Sequence, residues 1–283
     1  PVAEFIGTVL GSDSSHELGF IFSFPVQQDS VRSGRLEKWT KEFAFDGVEG
    51  EDVVTLLEDA LTSKSADVPA LQNLSVSALA NDTVSTLAWG AYLDRRCDMG
   101  LIVATGMNMA VAIDRNPVSK PLPPTVGALD EMIFNMECGN FVGVEAIHTV
   151  LDKRLDLESD TQGQLLEKMI SGRYLGELVR LAVADLESRG DAFSGWTTTG
   201  SAFAREFGFT AEHLSDIVYD ESPELVGVGM LLRKLGVAAA TVDDRHLLKH
   251  ACRLMATRSA RLVATGPQPR GGLGPGVDRV LTM

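Results

Sequence analysis

Residues 74–79 alternate apolar and polar side chains, and this period of two predicts a half-buried strand with Leu74, Val76 and Ala78 on one side. A short polar step, Asn81-Asp82-Thr83, then gives way to Leu87, Ala88 and Ala91, which predict a helix. Residues 18–25 are aromatic and β-branched and read as a buried strand stopped by Pro25. Residues 51–61 predict a helix with Val53, Leu56, Leu57, Ala60 and Leu61 on one face and acids in its first turn. A polar linker follows at 62–69. Residues 99–104 and 109–113 flank the turn Thr105-Gly106-Met107-Asn108 and predict a hairpin. A further strand over 132–139 ends, like the first, in polar groups. From residue 161 the apolar spacing is helical, and Gly172 and Gly176 predict two angled helices rather than one. Ser222-Pro223-Glu224 opens a helix closed by Gly236, and 246–265 forms the last helix, closed by Gly266. Residues 116–124 and 266–275 are rich in proline or glycine and read as irregular.

Strands alternating with helices make this an α/β chain, in which ligands bind beyond the carboxyl ends of the strands. Asp82 sits at such an end. Taken alone, Asn81-Asp82-Thr83 reads as a helix cap before it reads as a catalytic carboxylate.

The 283 residues are enough for one large domain or two lobes. No apolar run reaches the roughly 20 residues that span a bilayer, so no transmembrane segment is expected. The formal net charge of −14 sets the chain's field against nucleic acid and anionic membranes. Cys97, Cys138 and Cys252 are odd in number and lack metal-type spacing, which predicts neither a disulfide nor a protein-held metal. A reduced, cytoplasmic setting is the expectation, with mitochondrial or plastid association as the variant. The start, Pro1-Val2-Ala3, lacks an initiator methionine and reads as a processing boundary.

The polar strand and loop ends collect Ser23, Thr40, Lys41, Asn81, Asp82, Asn108, Glu137, Gln164 and Glu167, a set with one cation and many acceptors. Carboxylates and amides of this kind suit a neutral polyhydroxylated ligand, because each sugar hydroxyl both donates and accepts. Singly, each residue has a plainer reading. Lys41 could be a surface lysine, and Glu167-Lys168 an exposed helical pair.

In order and spacing, the chain from Leu18 to Gly266 resembles the hexokinase family. The matching stretches are 18–26, Trp39-Thr40-Lys41-Glu42-Phe43, Ala80-Asn81-Asp82-Thr83-Val84, Thr105-Gly106-Met107-Asn108, Asn135-Met136-Glu137-Cys138-Gly139, 167–177 and 256–262. Asp220-Glu221-Ser222-Pro223-Glu224-Leu225 is similar to the plant-type branch. The resemblance implies an actin-like ATPase fold, of the ribonuclease H-like kind, with two lobes that close on a hexose such as glucose. It implies that Asp82 accepts the proton of the sugar 6-hydroxyl and that Lys41 neutralises the transferring phosphoryl group. Ser23, Thr40, Lys41, Asn81, Asp82, Asn108, Glu137, Gln164 and Glu167 would bind the sugar. Thr105, Gly106, Arg173 and Ser215 would meet ATP, which brings its own Mg2+.

The chain departs from the family pattern mainly on the ATP side. Nothing in residues 1–17 resembles the family's Asp-Leu-Gly-Gly-Thr phosphate loop, so a truncated small lobe with an unpaired sheet edge is expected. Ala104 replaces a glycine, Ala211 a threonine and Cys138 a tryptophan. The domains expected are a small-lobe remnant over 1–80, a large lobe over 81–266 and an irregular tail over 267–283. Two functions follow from these departures. One is a hexose kinase; the alternative is a kinase-poor hexose-binding sensor, or a scaffold subunit whose exposed edge a protein partner covers.

Overall fold

The computed structural model describes residues 2–10, 15–41, 43–114, 131–160, 162–193, 196, 200–265 and 280–282. The irregular stretches expected at 116–124 and 266–275 lie outside them. Contacts group the chain into two units, the first built mainly from Pro1–Leu101 and Met109–Asn135, the second from Ile102–Asn108 and Met136–Val277.

In the first unit α1 (Val2–Val9) precedes β1 (His16–Ile21), β2 (Val26–Ser30) and β3 (Ser33–Leu36). Then come α2 (Val53–Lys64), β4 (Leu74–Ala80) and α3 (Asp82–Leu93). β5 (Met99–Val103), β6 (Met107–Asp114) and β7 (Glu131–Asn135) follow, and β8 (Val280–Thr282) completes the sheet β7-β6-β5-β8.

β1 runs parallel to β4 from His16 opposite Leu74 to Ile21 opposite Ala80. Its register slips once, with Leu18 facing Val76 and Gly19 facing Ala78, so Ser77 is an extra residue in β4. Up to Val76 the alternation read from sequence holds, and beyond Ser77 the slip inverts it. Val76 and Leu79 are buried, and Ala78 is only half-buried. β1 also ends at Ile21 rather than at Pro25, and its residues alternate between half-buried and exposed instead of being buried throughout. In α2 the buried face is Val53, Val54 and Leu61 with Leu57 beside it, whereas Leu56 and Ala60 are exposed. That face follows the i, i+4, i+8 row. The expected first-turn acids act before the helix: Asp52 caps it, accepting from the N–H groups of Val54 and Thr55.

α3 lies with its backbone directly on β5. A Cβ at Gly100 would come within 2.6 Å of the Thr83 carbonyl oxygen and 2.7 Å of the Leu87 nitrogen. Only glycine lets the first turn of α3 approach this closely.

The second unit is helical: α4 (Val150–Glu158), α5 (Leu165–Ile170), α6 (Gly172–Ser188), α7 (Ala211–Tyr219), α8 (Val226–Lys234) and α9 (Val242–Thr265). Val179, Phe193, Phe209, Ile217, Leu232 and Leu248 form its main core. The two-helix reading holds: Ser171, extended at φ −80° and ψ 154°, separates α5 from α6. α8 starts later than expected, because Glu224 and Leu225 are left-handed and Pro223–Leu225 forms its own 3-10 turn. α9 starts earlier, at Val242, through reciprocal hydrogen bonds between Thr241 and Asp244. α4 and α7, which sequence reasoning missed, open on similar boxes at Thr149/Asp152 and Thr210/His213.

A two-pronged ion pair ties α4 to α9: the Arg258 guanidinium donates to both Asp152 oxygens at 2.8 Å. Burial pushes the Asp152 carboxyl up, but hydrogen bonds from Arg258 and Thr149 and the Arg258 charge outweigh it, leaving its pKa below the ordinary 3.8. A carboxyl depressed on folding stabilises above its unfolded pKa and loses that contribution as pH falls through the folded value. Arg258→Met is therefore expected to cost about 3 kcal/mol at neutral pH. Thermal melts taken down to about pH 3 should show the gap between variant and parent narrowing as Asp152 protonates; a gap independent of pH contradicts this.

Candidate functional site

In the first unit a cluster of rings carries the polar residues. Trp39 packs against Phe24 at 4.8 Å and Phe45 at 5.3 Å between centroids, and Phe24 meets Phe43 at 5.4 Å. Ser23 lies between Phe22 and Phe24, just past β1, where the Phe22 N–H donates to the Ala80 carbonyl at 3.0 Å. That bond carries the strand pairing to the edge of Asn81. Thr40 is buried, its carbonyl accepts the Phe43 N–H, and Lys41 turns the chain with left-handed backbone at φ 60°. Lys41 is not a free surface lysine. Its Nζ donates to the Ser23 carbonyl at 2.7 Å and lies 5.0 Å from the Phe24 ring centre.

At the end of β4 the cap and the carboxylate prove to be different residues. Asn81 is the N-cap of α3, its Oδ1 accepting the Thr83 N–H at 2.9 Å. Asp82 is the first helical residue, half-buried, with Oδ1 accepting the same N–H at 2.8 Å. Capping thus leaves Asp82's second oxygen available for other chemistry, and the helix N-terminus favours its charge.

In the second unit Asn108, Glu137, Gln164 and Glu167 come together. Glu167 is buried, not an exposed helical acid, and its Oε2 accepts the Met107 N–H at 2.8 Å. Asn108 Oδ1 accepts the Cys138 N–H at 3.3 Å. A Cβ on Gly139 would stand 3.0 Å from Gln164 Oε1, from Glu167 Cβ and from the Met107 carbonyl oxygen, so this glycine keeps the cluster closed. Cys138 fills the space behind it, its Sγ 3.5 Å from Met107 Sδ.

The residues expected to meet nucleotide also lie in this unit. The Gly172 N–H donates to the Ala104 carbonyl at 2.7 Å and the Arg173 N–H to the Thr105 carbonyl at 3.1 Å, which fastens the hairpin tip to the start of α6. Thr105 is exposed, Gly106 is buried, and the Arg173 guanidinium carbon lies 4.1 Å from the Phe207 ring centre. α7 begins against α6, since a Cβ at Gly176 would come within 2.5 Å of the Thr210 carbonyl carbon. Ser215 is on the exposed face of α7, about one turn on.

Seven non-glycine residues among those described have positive φ, and three of them are Lys41, Glu137 and Gln164, at 60°, 46° and 55°. Left-handed backbone costs an ordinary residue about 1–2 kcal/mol. Such strain concentrates at functional positions, and no propensity scale flags it in advance.

The sequence model of the family described as Hexokinase matches residues 98–267, and a second model described in the same way matches residues 2–92. The chain belongs to the hexokinase family. It is 40% identical over 271 residues to Hexokinase-1 of Oryza sativa subsp. japonica, covering 94% of this chain and 53% of that protein. It is 38% identical over 274 residues to Hexokinase-1 of Arabidopsis thaliana, again covering 94% of this chain and 53% of the relative. The chain thus spans about half the length of the curated hexokinases it matches. Among solved structures, a Schistosoma mansoni hexokinase complexed with glucose superposes with a TM-score of 0.82 at 33% identity, over 94% of this chain and 58% of that one. A second hexokinase crystal structure matches with a TM-score of 0.61 at 26% identity, over 99% of this chain and 66% of that one. The fold is that of hexokinases, the actin-like ATPase fold. Among the described residues no helix is long and apolar enough to cross a membrane.

Proposed function

We propose that the chain carries the sugar-handling part of an ATP-dependent hexose phosphotransferase, acting on the 6-hydroxyl of a hexose such as glucose. The observation that carries this reading is the left-handed backbone at Lys41, Glu137 and Gln164, where strain is kept at polar side chains of the hydroxyl-matching set. The relative solved with glucose supports the choice of ligand. In this reading Asp82 takes the proton of the attacking hydroxyl, and Lys41, released from the Ser23 carbonyl, neutralises charge on the transferring group. Ser23, Thr40, Asn81, Asn108, Glu137, Gln164 and Glu167 orient the sugar by pairing its hydroxyls.

Exposed Thr105 and its neighbour Gly106 at the hairpin tip, with Arg173 at the adjoining start of α6, fit a polyphosphate, and Ser215 is assigned to the same nucleotide. ATP, with its magnesium, supplies the phosphoryl group when bound. A cytoplasmic location goes with this reading, in keeping with three buried cysteines that form no disulfide.

One observation favours the kinase-poor alternative, a hexose sensor or scaffold subunit. The first two amides of α6 are spent on hairpin carbonyls and are not left for phosphate. Calorimetric titration with glucose, followed by an assay of glucose-dependent ADP formation, separates the two. Saturable binding with turnover is the expected result. Binding without turnover leaves the sensor, and no binding at all ends both sugar readings.

A further inference from the structure

Lys168, on α5, is 2% exposed, and its Nζ lies 2.7 Å from Asp156 Oδ1 on α4. The same Asp156 oxygen accepts the Gly163 N–H at 3.0 Å. Gly163 and Gln164 are consecutive left-handed residues, at φ +86° and 55°, and they form the last step of the α4–α5 connection. The Gln164 carbonyl then accepts the Lys168 N–H at 3.0 Å, closing the first turn of α5, the turn that holds Glu167. One carboxylate oxygen therefore fixes the chain immediately before Gln164 and the buried cation immediately after Glu167. Asp156 itself belongs to neither the sugar set nor the nucleotide set.

We propose that Asp156 is a positioning residue: by holding the Gly163 amide and Lys168 it aims Gln164 and Glu167 at the hexose. This rests on the hexose reading of that cluster. Removing Asp156 alone would also break its ion pair with the buried Lys168, so the test uses two double variants that both lack that pair. Asp156→Asn with Lys168→Met keeps an acceptor oxygen for the Gly163 N–H. Asp156→Ala with Lys168→Met does not.

Glucose affinity by calorimetry is expected to be about tenfold weaker in the alanine double than in the asparagine double, the worth of one lost hydrogen bond. In turnover the loss should appear in KM with kcat unchanged. Amide exchange over residues 163–168 should be faster in the alanine double. Equal affinity and equal exchange in the two doubles overturn the proposal, as does a loss confined to kcat. If the parent chain binds no glucose, the hexose reading falls by itself and exchange alone decides: faster exchange in the alanine double upholds the anchoring by Asp156, and equal exchange refutes it.

Discussion

Asp82→Asn is expected to lower glucose-dependent ADP formation by about 10²–10⁴-fold while leaving glucose affinity unchanged. The substitution is chosen for what it keeps. The amide oxygen can still accept the Thr83 N–H that Asp82 Oδ1 holds at 2.8 Å, and Asn81 remains the cap of α3. Gly100 still permits the close packing of α3 on β5, since that approach is to the Thr83 carbonyl and the Leu87 backbone. What is lost is a group able to take a proton, together with its favourable charge at the helix start, worth about 0.3–1 kcal/mol of stability. Initial rates at saturating glucose and ATP, alongside a glucose titration of the variant, provide the measurement. Turnover within a few-fold of the parent would remove Asp82 from the base role, and a parallel collapse of binding would make it a sugar ligand first.

Arg180→Met should destabilise the chain by about 3–5 kcal/mol, more than Arg258→Met. Arg180 and Glu177 are both buried on α6, and the Arg180 Nε donates to the two Glu177 oxygens at 2.8 and 2.9 Å. The pair also reaches beyond its helix. Arg180 Nη1 donates to the Phe203 carbonyl at 3.2 Å, and Glu177 Oε2 accepts the N–H of Phe207, a left-handed residue, at 2.7 Å. Methionine fills much of the volume but leaves an ionised carboxylate buried without its cation, which costs far more than the pair itself contributes. The melting temperature should fall by about 10 °C, and adding Glu177→Gln should restore much of it. A single variant melting within about 2 °C of the parent would mean that the carboxylate finds water or another partner.

Much of this architecture is legible in the residue pattern. The strand-to-helix step at Asp82, the hairpin carrying Thr105 and Gly106, and the break between α5 and α6 all follow from local periodicity and glycine placement. What was hidden depends on long-range partners. The extra residue at Ser77 shows only in the pairing of β1 with β4, and it alone decides that Leu79 rather than Ala78 is buried. Glu167-Lys168 looks like an exposed pair because spacing says nothing of Asp156, twelve residues earlier, or of the Met107 amide. The twist at Lys41, Glu137 and Gln164 is equally silent, since none of these residues prefers left-handed backbone. The caps at Thr149, Thr210 and Thr241 did carry a signal: each is a threonine three residues before a side chain that bonds back to it.

The grouping of the hairpin tip, Ile102–Asn108, with the second unit while Met109–Asn135 returns to the first has a consequence for synthesis on the ribosome. When Leu101 has emerged, β1 and β4 can already pair, but β5 still lacks β6, and β6 in turn needs β7. The missing stretch, residues 102–135, takes about 2–7 s to translate at typical rates. For that interval both edges of β5 wait unpaired, and the edge that β8 will cover stays open until residues 280–282 are made, so the nascent first unit offers a chaperone a natural point of engagement while translation proceeds.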